Sequence, residues 1–167
     1  MMENFKQLGL AFLLTLFIIY MILAVLFNSF IQPFIMMITV PFGFIGVMLS
    51  LIIHGFSISF AAFMGFVALT GVVVNNAIIL NDFVNKFKDK IQNKEKAIID
   101  ACKTRLRPII LTTLTTIAGL IPIGYGILGS RDAFLQPVAI VFSWGLLFSS
   151  FITLFIVPVI IYYLNNN

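Results

Sequence analysis

What most constrains this chain is where its charges are missing. From Gln7 to Asn81, 75 consecutive residues hold no Asp, Glu, Lys or Arg, and residues 108–130 and 133–167 are equally free of them. Twelve of the sixteen charged side chains fall between Asp82 and Arg107. Only 10% of the 167 residues are charged and 61% are apolar, against about 25% charged in soluble domains. Such a chain cannot cover itself with an aqueous surface. That excludes a soluble enzyme, a secreted disulfide-built domain and a disordered tail. The single cysteine, Cys102, can close no internal disulfide and reads as a small semi-buried residue. The chain is an integral membrane protein.

Crossing about 30 Å of hydrocarbon takes roughly 20 apolar residues. Five runs meet that length, at about 8–27, 33–53, 58–81, 108–128 and 135–164. None alternates as a barrel strand does, and a segment in lipid satisfies its backbone most simply as a helix. The expected fold is all-α: a single polytopic transmembrane domain over residues 1–167 with five transmembrane helices. The first run has no small-residue cleavage site behind it, so it reads as a span and not a signal peptide. Pro33 and Pro108 stand at the expected first positions of spans two and four, where a missing N–H costs nothing. Pro41, Pro122 and Pro158 lie inside spans and predict kinks. His54-Gly55-Phe56-Ser57 predicts a tight turn, with Ser57 or Ser59 available to cap the third helix. Gly129-Ser130-Arg131-Asp132 predicts a polar turn before the fifth.

Lys86, Lys88, Lys90, Lys94, Lys96, Lys103, Arg105 and Arg107 all lie between spans three and four, which marks that connection as cytoplasmic. Counting outward places the N-terminus and the His54 and Arg131 turns outside, and the C-terminus inside. An external start of seven residues suits a chain normally preceded by a large external domain. The net charge of +4 comes from the same segment; it reads as an orientation signal, with lipid and not nucleic acid as the partner. Within that segment Val84, Phe87, Ile91, Ile98 and Cys102 share one helical face, predicting an amphipathic cytoplasmic helix over about 84–103, either lying on the membrane surface or solvated as a connector.

Two polar stripes stand out. At about 100° per residue, Ala61, Gly65, Ala68, Gly71 and Asn75 fall in one narrow arc of span three, with Asn76 beside Asn75 and Asp82 two turns beyond. Small residues let a second helix approach closely, and an amide can hydrogen-bond across the contact. The face therefore reads either as packing surface or as the polar lining of an ion path. In span four Arg105, Thr112, Thr116 and Gly119 share a face. Threonines can satisfy themselves on carbonyls of their own helix and the arginine can anchor at phosphate level, but the coincidence also suits a hydrated cytoplasmic opening.

No catalytic constellation, metal-ligand spacing or phosphate loop is present, so neither an enzyme nor a cofactor is expected. The sole histidine, His54, reads as a turn residue, Trp144 as packing, and Tyr162-Tyr163 as an interfacial pair.

The order Met21-Ile-Leu-Ala-Val-Leu-Phe-Asn-Ser-Phe-Ile-Gln-Pro-Phe, Val40-Pro41-Phe42, Gly71 to Phe83, and Arg105-Leu-Arg-Pro-Ile-Ile-Leu-Thr-Thr-Leu-Thr-Thr resembles the last five transmembrane helices of resistance-nodulation-division (RND) efflux permeases of the hydrophobe/amphiphile exporter type. The resemblance implies the carboxy-terminal membrane portion of a proton-driven multidrug or lipophile antiporter in the bacterial inner membrane. It also implies a homotrimer when complete, a periplasmic adaptor and an outer-membrane channel. In that family, polar residues on two helices of the second half read the protonation of acids in the first half. On those motifs Asn75 falls where many drug exporters carry a lysine, Arg105 on the relay arginine and Thr112 on the relay threonine, with Asn76 alongside. Asn75 brings no positive charge, so coupling would be tuned differently. The family's first half and its acid pair are absent from these residues, so a fragment, split subunit or remnant that needs the N-terminal half is expected. Two other readings remain at this point. A SecF-like export accessory protein would carry a sizeable external domain between its first two spans, where about five residues stand here; a non-transporting scaffold would only pack against helices.

Overall fold

The computed structural model describes residues 2–88, 94–127 and 132–166. Its helices are α1 (Met2–Phe27), α2 (Ile31–Met37), α3 (Thr39–His54), α4 (Phe60–Lys88), α5 (Lys94–Gly124) and α6 (Leu135–Asn166), with no strand among the described residues. Five stretches are long and apolar enough to cross a membrane: Phe5–Phe27, Ile31–His54, Phe60–Phe87, Ile98–Gly124 and Leu135–Tyr163. The chain is thus an all-α polytopic membrane protein, and the five runs read from hydropathy are its five spans.

Span two is made of α2 and α3, parted at Ile38. The break follows from Pro41, whose ring crowds the carbonyl four residues back, that of Met37, the last residue of α2. Thr39 helps to seal the junction by donating its hydroxyl to Met36 O at 2.6 Å. Pro33 sits third in α2, still within the first turn, where an N–H would have no intrahelical acceptor and its absence costs nothing. At the other end Gly55 takes a left-handed conformation (φ 66°), and the N–H groups of Gly55 and Phe56 return to Ile52 O and Leu51 O. This crossed pair closes α3. Ser59 is the cap of α4: its Oγ accepts from Ala62 N–H at 3.2 Å. Asp132 does the same for α6, accepting from the N–H groups of Phe134 and Leu135. Residues 129–131 of the predicted polar turn lie outside the described residues.

The segment expected to form one amphipathic helix over 84–103 is instead shared between two. α4 continues to Lys88, and α5 runs from Lys94 through Pro108 without a break. Pro108 is therefore an interior residue, not a helix start. The apolar face follows the same division. Val84 and Phe87 on α4 meet Ile98, Ala101 and Cys102 on α5, and the group is closed by Val157 and Ile161 of α6. Side chains that would have faced a membrane surface are buried (Val84, Ile98) or half-buried (Phe87, Cys102) between helices, because two extended spans cover them more fully than one interfacial helix can. Ile91 lies outside the described residues.

α6 is the central helix. It packs against α3, α4 and α5, while α1 touches mainly α2 and leaves most of its apolar surface uncovered by the described residues. The crossing depends on Gly145: a Cβ there would run into the buried Leu69 side chain and come within 3.1 Å of Val47. Leu69, Val73, Val141 and Leu146 form the adjoining core.

Candidate functional site

α4 and α5 run side by side, and between them opens a cleft of about 280 Å³ whose inner wall is Leu146 of α6. Asn75 and Asn76 line it from α4; Arg105, Thr112 and Thr116 line it from α5. The four residues singled out as a polar relay, Asn75, Asn76, Arg105 and Thr112, thus meet around one cavity. The reason is geometric. Asn75 lies one turn beyond Gly71 on its helix, and Thr112 lies two turns beyond Arg105 on the next, so two neighbouring helices present these residues to the same gap.

Their surroundings differ. Asn75 is exposed and Asn76 half-buried, and neither amide has a hydrogen-bond partner among the described residues. Thr112 donates within its own helix, its Oγ1 lying 2.9 Å from Pro108 O and 3.0 Å from Ile109 O, and Thr116 donates to Thr112 O at 2.8 Å. Such back-bonding leaves hydroxyl lone pairs free to accept from water or from an incoming group. Thr113, which also lines the cleft, behaves otherwise: its hydroxyl is 2.8 Å from that of Ser150, and the pair ties α5 to α6.

Arg105 carries the cleft's charge. No carboxylate is among the residues lining it. Asp82, the nearest acid along α4, is committed to Lys86 on its own helix at 2.6 Å. The Arg105 guanidinium lies over the ring of Phe83, its Cζ 4.0 Å from the centroid, and its Nε is buried without a hydrogen-bond partner among the described residues. A buried donor left unmet in a cleft lined by amides and hydroxyls gives the site a standing demand for an acceptor, preferably an anionic one.

The small-residue face of α4 is divided. Ala61 and Gly65 are buried, Gly65 against the backbone of α6, where an added Cβ would lie 3.0 Å from Val138 O and 3.2 Å from its Cα. Ala68 is exposed, and a Cβ on Gly71 would meet nothing within 4 Å. Within this chain the packing face is therefore Ala61 and Gly65 alone. Ala68, Gly71 and Asn75 form a bare strip that leads into the cleft.

Three polar contacts were not anticipated from the sequence. His54 is more than a turn residue: its Nδ1 donates to Ser50 O at 2.9 Å, which leaves Nε2 to accept from the Tyr125 hydroxyl at 3.1 Å. Its ring also stands 5.7 Å from that of Trp144, joining the C-terminal ends of α3 and α5 to α6. At the opposite end of the bundle, Gln32 Oε1 accepts from the amides of Asn81 and Asn85 at 3.0 and 3.3 Å, joining α2 to α4. The Thr113–Ser150 pair is the third. Each has a sequence signal, a polar residue in or beside an apolar run, but its partner lies on another helix.

Polar and cationic side chains lining a cleft between adjacent spans of a membrane bundle are an arrangement common in transport proteins. The model of the AcrB/AcrD/AcrF family matches residues 2–165, and the chain belongs to this family of RND efflux permeases. It is 36% identical over 159 residues to the swarming motility protein SwrC of Bacillus subtilis (strain 168), covering 95% of this chain and 15% of SwrC. It is 33% identical over 149 residues to the multidrug resistance protein MdtC of Edwardsiella ictaluri (strain 93-146), covering 89% of this chain and 14% of MdtC. Two crystal forms of a heavy metal efflux pump superpose with TM-scores of 0.84 and 0.74, at 25% and 29% identity, over 99% of this chain and 17% of the pump. The chain therefore spans about one seventh of the length of these relatives. The family match decides against the SecF-like reading.

Proposed function

We propose that this chain is the carboxy-terminal membrane portion of a proton-driven RND efflux permease, inactive until joined to the rest of the permease. The observation that carries the reading is the convergence of Asn75, Asn76, Arg105 and Thr112 on one cleft that no carboxylate among the described residues lines. An acid on a helix laid along the bare Ala68–Gly71–Asn75 strip would meet the buried Arg105 donor and two unpartnered amides. When ionised, that acid would be held by Arg105; when protonated, it would lose most of that attraction and could instead donate to an amide oxygen. The difference in binding between the two protonation states is what couples proton occupancy to helix position. Asn75 can hydrogen-bond to either form but holds neither by charge, which leaves Arg105 as the charge-sensing group. Membership of the family supports assembly as a trimer with a periplasmic adaptor and an outer-membrane channel, in the inner membrane with the α4–α5 connection on the cytoplasmic side. Drugs and heavy metals are cargo classes consistent with the names of the multidrug resistance relative and the metal pump.

The test is complementation. The chain is produced alone, and together with the remaining length of a related permease, in cells lacking their own exporters, and drug accumulation is measured. Restored efflux only in the combined strain is expected. Failure to restore it, with both pieces inserted in the membrane, removes the proposal and leaves the scaffold reading.

A further inference from the structure

A guanidinium in a cleft without a carboxylate needs something to hold it. We propose that Phe83 is a positioning residue for Arg105: its ring face binds the guanidinium and sets the resting place of the cleft's positive charge. An incoming carboxylate then competes with an aromatic ring and not with a resident acid. This inference rests on the coupling role proposed for the cleft.

Several observations converge on it. Arg105 Cζ is 4.0 Å from the Phe83 centroid, well inside the range of about 6 Å over which a ring quadrupole attracts a cation. Arg105 makes no salt bridge to a described acid; Asp82, adjacent to Phe83 in the chain, is occupied by Lys86. The ring is itself half-buried and packed against the Leu80, Val84, Ile98 and Ala101 cluster that joins α4 to α5. Lys86 Nζ also approaches this ring but stays 5.8 Å away, held by its own carboxylate. The planar guanidinium can lie flat on a ring where an ammonium cannot, so the site prefers arginine over lysine.

The choice of a ring has a functional consequence. A buried acid would neutralise Arg105 and hold it tightly, because breaking a buried ion pair strands a charge. A ring attracts the cation without neutralising it and releases it at lower cost. Arg105 is thus kept in place and kept available, with its buried Nε still lacking an acceptor.

The chain has three arginines, Arg105, Arg107 and Arg131, so an arginine-labelled sample in lipid nanodiscs gives a simple NMR spectrum in which Arg105→Lys assigns the Arg105 signal. The Arg105 Hε is expected upfield of the other two and slow to exchange with water. Phe83→Leu, which keeps the apolar packing but removes the ring, should move it downfield and speed its exchange; Phe83→Tyr should preserve both properties. An Arg105 signal unmoved by Phe83→Leu, with the Arg107 and Arg131 signals and the helical circular dichroism intact, overturns the proposal. If Phe83→Leu does not fold, Phe83→Trp decides: a deeper upfield shift supports the ring contact, and an unchanged or smaller one overturns it. In the complemented permease Phe83→Leu should displace the pH profile of efflux while Phe83→Tyr restores it; an unmoved profile overturns the positioning role. Efflux that survives Arg105→Ala instead defeats the coupling reading, and the NMR result still decides the ring contact.

Discussion

Two glycines on α4 separate surface that this chain fills from surface that it leaves open. Replacing glycine by alanine inside a helix gains roughly 0.5–1 kcal/mol from backbone entropy alone, and both Gly65 and Gly71 are helical. At Gly71 nothing opposes the gain, since the added methyl meets no atom within 4 Å. At Gly65 the methyl would stand 3.0 Å from Val138 O and 3.2 Å from Val138 Cα, both backbone atoms of α6. No rotamer change relieves such a contact, and overpacking of this kind typically costs about 1–3 kcal/mol. Gly65→Ala should therefore be net destabilising while Gly71→Ala is neutral or stabilising, the two differing by about 1–3 kcal/mol. Steric-trap unfolding in bicelles, or the thermal midpoint of a fluorescent fusion in detergent, measures the difference directly. In the complemented permease the order should reverse for bulky residues at the open strip, with Gly71→Leu blocking efflux although the isolated chain tolerates it. Equal stability of the two alanine variants would refute the packing argument, and a destabilised Gly71→Ala chain would show that the strip is already covered.

The cleft should be wet. In a Cys102→Ser background, which removes the sole cysteine, Asn75→Cys and Thr116→Cys should react with a membrane-impermeant maleimide added from the cytoplasmic side, while the fully buried Ala77→Cys and Leu69→Cys should not. The Thr113–Ser150 pair should show a coupling near ~0.6 kcal/mol in a double-mutant cycle of Thr113→Val and Ser150→Ala, the usual size of an interhelical hydrogen bond in a membrane; zero coupling would mean that the hydroxyls are independently satisfied. Tyr125→Phe should lower stability by a similar ~0.6 kcal/mol and should have no effect when His54 is already alanine, a non-additivity read from the same unfolding assay.

Much of this architecture is legible in the residues, for identifiable reasons. A charge-free run long enough to cross a bilayer has few alternatives to a helix, so the five spans follow from hydropathy. The turn at Gly55 follows from a glycine behind an apolar helix end. The cleft residues follow from helical arithmetic on α4 and α5 separately, but their meeting depends on those two helices being neighbours, which no periodicity reveals. The break at Ile38 arises three residues ahead of Pro41, because the ring acts on a carbonyl four residues back. The continuity of α5 through Pro108 and the burial of Val84 and Phe87 against Ile98 and Cys102 depend on tertiary packing between extended spans, where the amphipathic pattern alone allows a surface helix equally well. Arg105 is recognisable as a cation at the mouth of span four, whereas its ring partner lies on another helix, 22 positions earlier in the chain.

The central claim is that the Arg105 charge in the α4–α5 cleft couples protons to transport, and one measurement reaches it most directly. Proton-driven efflux is followed in vesicles containing the complemented permease, with the native chain, with Arg105→Ala and with Arg105→Lys, each checked for equal insertion. The account predicts that Arg105→Ala abolishes gradient-driven efflux and that Arg105→Lys, which cannot lie flat on the Phe83 ring, recovers only part of it. Efflux by Arg105→Ala at the native rate would contradict the account.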